Sequence, residues 1–206
     1  SMSKSKPASP VVQPSPLTRC DWCTDDPLYL AYHDNEWGRP CYEEAKLFEL
    51  FILETQQAGL SWYTVLKKRE GFRQAFQNFD PNYLAACGEK ELTAWLDNPS
   101  LIRNRRKLEA VIHNAQRYCN EFGGAKGGFL EYFWSAVGGS SIDIPWKEAK
   151  DVPVSNPISD QLSADLKRKG FKFVGSITIY AYLQATGLIN DHLRDCIVRT
   201  NPNHRL

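Results

Sequence analysis

From about residue 26 onward, apolar residues recur at helical spacing, and polar caps and glycines cut the pattern into short units. In "DDPLYLAYHDNEWG" Asp26 reads as an N-cap, Pro27 as the first helical position and Gly38 as the stop. A second helix follows "YEEAK" and ends at Gly59, Ser61 caps "SWYTVLKK", and "DPNYLAAC" repeats the Asp-Pro start. "LIRNRRKLEAVIHNAQRYCNEF" is a long amphipathic helix closed by Gly123-Gly124, followed by helices in "FLEYFWSAV" and "SDQLSADLKRKG". The last part reads as a turn, a helix ending at Gly187 and a short final helix. No stretch sustains an alternation of period two, so no strand is expected and the fold class is all-α. The segment from Gly138 to Pro157 reads as a long surface connection, and no internal repeat is present.

One position breaks the pattern. In "LFELFILETQQAGLSW" a helix puts Leu47, Leu50, Phe51 and Ala58 on the side that carries Glu54. Burying an unpaired carboxylate costs several kcal/mol. Tyr29, Tyr32, Trp37 and Trp62 lie close to it in sequence, with Trp22 a little upstream. Such a stripe is ordinarily core. Aromatic faces around one acceptor also describe a site for a flat heterocycle, with the rings stacking on it and Glu54 accepting from an exocyclic N–H. A cationic heterocycle gains cation–π attraction as well.

Composition narrows the classes. The 206 residues are 42% hydrophobic and 12% aromatic, enough for one sizeable domain with an ordinary core. Net charge is +1, so any nucleic-acid contact must come from local patches. Residues 1–18 are Ser/Pro-rich and read as a disordered tail, with Ser1 ahead of Met2 as a cloning remnant; the folded domain spans 19–206. No signal-like segment opens the chain and no apolar run spans a bilayer, so a cytoplasmic location without membrane contact is expected, with cysteines that are free or bind metal.

Cys20 and His33 near the start, with His192 and Cys196 spaced i,i+4 on one face of a helix in "HLRDC", make a Cys2His2 set suited to tetrahedral zinc. Any one of these residues taken alone is more often an ordinary buried side chain. "CDWC" adds Cys23, and spacing leaves open whether Cys20 or Cys23 binds, or whether the pair does thiol redox chemistry. "LKRKGFKFVGSITIYAYL" joins two helices through Gly170 and Gly175, with Lys167, Arg168, Lys169 and Lys172 about the turn. Such a turn can present backbone N–H groups to a phosphate. Arg103, Arg105, Arg106 and Lys107 form a second basic cluster.

The stretches "DPLYLAYHDNEWG", "QQAGLSWYTVLKKRE" and "KGFKFVG…GLINDH" closely resemble the DNA-3-methyladenine glycosylase I family, from about Arg19 to Cys196. The resemblance implies a helix-hairpin-helix DNA glycosylase fold of two helical lobes, with one zinc ion tying the chain ends through Cys20, His33, His192 and Cys196. It leaves Cys23 outside the pattern. It implies a base pocket of Glu54, Tyr32 and Trp62 supported by Tyr29 and Trp37, with Glu54 as the catalytic-site acid. Leu60 becomes the residue that enters the duplex, and Gly170, Lys172 and Gly175 the phosphate-binding hairpin. The partner is double-stranded DNA containing N3-methyladenine, the product is free 3-methyladenine, and a monomer is expected. Where many hairpin glycosylases carry an Asp, the equivalent place reads Asn190, and no Lys stands there to form a Schiff base, which implies a monofunctional enzyme. Two other readings compete with it. A non-catalytic zinc-stabilised DNA-binding module would bind DNA without base release, and a CxxC oxidoreductase would need a low-pKa thiol.

Overall fold

The computed structural model describes residues 17–206. The expected N-terminal tail falls mainly outside these residues; within them Thr18 accepts a backbone hydrogen bond from Ile197. Eleven α-helices run in order among the described residues: α1 Pro27–Asn35, α2 Glu44–Gln56, α3 Trp62–Lys67, α4 Arg69–Ala75, α5 Pro81–Ala86, α6 Glu89–Leu96, α7 Arg105–Phe122, α8 Gly128–Ala136, α9 Pro157–Arg168, α10 Ser176–Ala185 and α11 Ile197–Thr200.

The caps explain most boundaries. Asp26 and Asp80 each accept from two backbone N–H groups ahead of a proline, opening α1 and α5, and Ser61 accepts from Thr64 to open α3. Asn104 accepts from Lys107, so α7 begins at Arg105 and Leu101–Asn104 lie outside the helix that the pattern drew through them. The helices α4 and α6 occupy stretches for which periodicity supplied no element. The expectation of no strand also needs correction. Ile142–Asp143 (β1) pairs in parallel with Ile189–Asn190 (β2), a two-residue ladder made by backbone groups and too short to leave a period in the sequence.

Nine of the thirteen residues of α2 are buried, and this helix runs through the main core with α7, α8 and α10 packed about it. Phe51 sits edge-on to Phe129, Phe171 and Tyr182, so rings from three other parts of the chain close on one α2 side chain. A second small core holds Cys20, Cys196 and Val198, with Trp22, Trp37, Leu193 and Ile197 packed against it. The chain ends therefore meet beside α1, next to the side of α2 that carries Glu54.

Candidate active site and metal centre

The end of α2 brings Glu54 to the wall of a cavity of about 270 Å³ whose rim includes Tyr29, Tyr32, Trp37 and Trp62, all five residues expected there, with Trp22. Glu54 is 3% exposed, and its Oε2 has no hydrogen-bond partner among the described residues. Trp62 Nε1 is likewise buried and unpaired. Burial without a partner pushes the Glu54 carboxyl up to about 8, which favours its protonated form. The rings are oriented by their neighbours: Trp22 packs on Tyr29 at 5.2 Å and on Trp37 at 5.1 Å between centroids, and Tyr32 lies 5.7 Å from Trp62. Tyr29 and Tyr32 share one side of α1, which the period of 3.6 placed correctly.

Several lining residues carried no signal in the sequence. Gln57, Ala149, Val152, Gln184 and Asp191 complete the cavity wall. Asp191 accepts from Trp146 Nε1 at 2.8 Å, from Gln184 Nε2 at 3.0 Å and from the Tyr180 hydroxyl, so three of its bonds hold the wall. The connection of 138–157 therefore does more than cross the surface: it supplies Ala149 and Val152 and docks through Trp146. Asn190 stands one residue away but outside the lining; its side chain accepts from the His192 backbone N–H, a local turn contact.

Cys20, His33, His192 and Cys196 converge, with one ligand atom of each within 4.8 Å of all the others, and all four are buried. Zinc with bonds of about 2.3 Å to sulfur and about 2.0–2.1 Å to nitrogen at tetrahedral angles implies sulfur–nitrogen edges of about 3.5 Å. Three such edges measure 3.5 Å: Cys20 Sγ to His192 Nδ1, Cys196 Sγ to His192 Nδ1, and Cys196 Sγ to His33 Nε2. The other ring nitrogens are occupied. His33 Nδ1 donates to Asp34 and His192 Nε2 donates to the Trp37 carbonyl, both at 2.6 Å, which leaves the inward nitrogens as acceptors. The donor set fits a metal ion.

The i,i+4 spacing of His192 and Cys196 arises differently from the expectation. They do not share a helix: His192 stands in the irregular stretch between β2 and a turn at Arg194-Asp195, and Cys196 is the N-cap of α11. A tight turn brings i and i+4 together as a helix does. Cys23 stays outside the cluster, and burial pushes its thiol up to about 11, the opposite of what a redox CxxC requires.

Asp34, absent from the expected set, anchors this region. It is wholly buried and receives Arg19 through two bonds at 2.9 and 2.8 Å, His33 at 2.6 Å and His204 at 2.7 Å. Burial alone would raise its pKa, but these donors outweigh that and hold the carboxyl well below the usual range. Gly38, at φ +76°, passes so close to the site that a Cβ there would lie 2.7 Å from His192 Cδ2.

Leu60 is 37% exposed in the turn after α2, beside the cavity mouth, where Gly59 takes φ +77°. The hairpin between α9 and α10 turns through Gly170 at φ +88° and, unexpectedly, Phe173 at φ +58°, whereas Gly175 is an ordinary N-cap. No side chain caps α10, which leaves its first N–H groups without a side-chain acceptor. The second basic cluster is only partly a surface. Arg103 and Arg106 are exposed and Arg105 pairs with Glu89 and Glu109, but Lys107 is 5% exposed and turned inward.

Residues 22–200 match the family model described as methyladenine glycosylase. The DNA-3-methyladenine glycosylase of Haemophilus influenzae is 44% identical over 191 residues, covering 89% of this chain and 99% of that one. DNA-3-methyladenine glycosylase 1 of Escherichia coli is 45% identical over 181 residues, covering 87% and 96%. A solved 3-methyladenine DNA glycosylase I, a Tyr-to-Phe variant in complex with 3-methyladenine, is 41% identical with a TM-score of 0.82, covering 86% of this chain and 95% of that one.

Proposed function

Because the chain belongs to the methyladenine glycosylase family, we propose that it excises N3-methyladenine from alkylated double-stranded DNA by hydrolysing the N-glycosidic bond in base-excision repair. The observation that carries this reading is the buried, unpartnered Glu54 carboxyl in a ring-lined cavity. Its desolvation is costly in the empty protein and is offset when a cationic base arrives.

Methylation at N3 leaves the base positively charged, so its bond to the sugar is already weak. The enzyme's work is to extrude the nucleotide, bind the cation and favour departure of the base. Tyr32 and Trp62 supply the stacking faces, with Tyr29 and Trp37 behind them. A cation against Glu54 favours the ionised carboxylate, so base entry displaces the proton that burial holds there. Glu54 then accepts from the exocyclic N–H and holds the base in place while the positive charge passes from it to the sugar as the glycosidic bond lengthens. The C1′–N9 bond breaks with its electron pair going to the base, which leaves as neutral 3-methyladenine. Water adds to C1′ and gives up a proton. Among the described residues the cavity lining includes no lysine to form a Schiff base with the sugar, and the enzyme is read as monofunctional.

Leu60 is assigned to the gap left in the duplex. The hairpin of Gly170, Lys172 and Gly175 is assigned to a phosphate, which the uncapped start of α10 would receive through backbone N–H groups. Together these elements are read as a helix-hairpin-helix glycosylase of two helical lobes over residues 19–206, acting as a monomer. Cys20, His33, His192 and Cys196 would hold one Zn²⁺. Bound there, the ion supplies a structural cross-link between the chain ends and no chemistry at the sugar. The test is release of 3-methyladenine from methylated duplex DNA, with Trp62→Ala and Glu54→Gln expected to lose it.

A further inference from the structure

The long helix α7 carries two buried polar side chains that are neither aromatic nor small, and both spend their hydrogen bonds on loops. Lys107 Nζ donates to the Gln56 carbonyl at 2.9 Å and also to the Ala58 carbonyl, and Gln56 Nε2 returns a bond to the Lys107 carbonyl at 3.2 Å. These carbonyls end α2 and open the turn that presents Leu60, itself closed by the Leu60 N–H on the Gln57 carbonyl at 2.7 Å. Seven residues on, Asn114 donates to the Lys172 carbonyl at 3.0 Å and accepts from the Lys172 N–H at 2.8 Å. His113 donates to the Gly170 carbonyl at 2.6 Å and Arg117 to the Lys169 carbonyl at 3.0 Å, so the same helix grips the hairpin at Lys169, Gly170 and Lys172.

A core needs neither group. Methionine or leucine would fill the same space without the desolvation that a buried ammonium demands. What both side chains provide is fixed backbone, at the two loops assigned to the duplex. Phe173, held in the left-handed region within the gripped turn, is a conformation that persists only where its surroundings over-determine it. Positions i and i+7 share a helix face and are separated along the axis by about 10 Å.

We propose that Lys107 and Asn114 are positioning residues: through α7 they hold the Leu60 turn and the Lys172 hairpin at one fixed separation, so that phosphate capture by the second places the first at the damaged base. The inference rests on the glycosylase reading and concerns duplex engagement, not the base cavity, since neither side chain lines it. Misplacing a group by an ångström can cost on the order of 100-fold in rate.

Two quantities separate this role from general stabilisation: binding of free 3-methyladenine, followed by tryptophan fluorescence, and single-turnover release of base from methylated duplex. For Lys107→Met and Asn114→Leu, free-base affinity is expected within about twofold of wild type while duplex release falls about 10- to 100-fold. Lys107→Arg, which can still donate to two carbonyls, should recover most of that loss. Leu60→Ala should cost far less in the Lys107→Met background than in wild type, because the two act through one loop. Lys107→Gln is measured alongside in case the methionine variant does not hold free base. Duplex release within about twofold of wild type overturns the inference. So does parallel loss of free-base binding and release in all the Lys107 and Asn114 variants, which would mean a structural role only. A wild-type protein that releases no base would instead contradict the glycosylase reading itself.

Discussion

His33 donates through Nδ1 to Asp34 at 2.6 Å, and this one bond fixes which nitrogen of the imidazole faces Cys196. The carboxylate is also where Arg19 and His204 end, so the orientation of the ring depends on both chain termini.

Asp34→Asn keeps the shape and removes the charge. Loss of such an outer partner ordinarily weakens a metal site by about 10- to 100-fold. Competition with a chelator of known affinity should find that reduction, with a lower Tm for the metal-loaded protein. Unchanged metal affinity would mean that Asp34 serves only the ion pair with Arg19.

If the cluster binds its proposed metal, removing that ion should lower the Tm and loosen the two ends of the described chain together. The small core there has only Cys20, Cys196 and Val198 as buried members, so a metal cross-link would add to the hold of packing and of the Asp34 network. Hydrogen exchange of the Ile197 amide, which bonds Thr18, reports this directly and should quicken after chelation.

At Gly38 the backbone is left-handed and a Cβ would press on His192. Gly38→Ala is therefore expected to cost about 1–3 kcal/mol of stability and to reduce metal content. Thermal denaturation with metal analysis checks both. A variant with wild-type metal content would mean that the His192 ring can shift without loss of a ligand.

Glu54 carries a pH signature. Its carboxyl is raised from 4.5 to about 8 by burial, so across that window the folded protein holds a proton that the unfolded chain has released. The folded state then binds more protons, and stability falls as pH rises from about 4.5 to about 8 and levels off above. Glu54→Gln removes the titration. The variant should be more stable than wild type at pH 8.5 by on the order of 5 kcal/mol, a gain that disappears near pH 4.5. Base release by the wild type should rise with pH toward 8 as the free acid ionises.

Elements with local causes were legible in the chain. Asp26-Pro27 and Asp80-Pro81 announce helix starts through a cap and a fixed φ, and the side shared by Tyr29 and Tyr32 follows from helical period. The cavity was legible in part, because five of its residues lie within 34 positions of one another in the chain, from Tyr29 to Trp62. What escaped depends on contacts distant in sequence. Lys107 sits among arginines and looks like surface charge, yet its partners are 49 and 51 residues away. Asp191 and Ala149 reach the cavity through a two-residue ladder and one tryptophan N–H, which leave no periodic trace. Asp34 adjoins a ligand, but its importance comes from Arg19 and His204, the second of which lies 170 residues away.

The most direct measurement is release of 3-methyladenine from methylated duplex DNA under single-turnover conditions, comparing wild type with Glu54→Gln. The account predicts release by the wild type and a fall of at least about tenfold in the variant, which keeps its fold and metal but offers no charge to the cation. Equal rates in the two proteins would contradict the role given to the buried carboxyl.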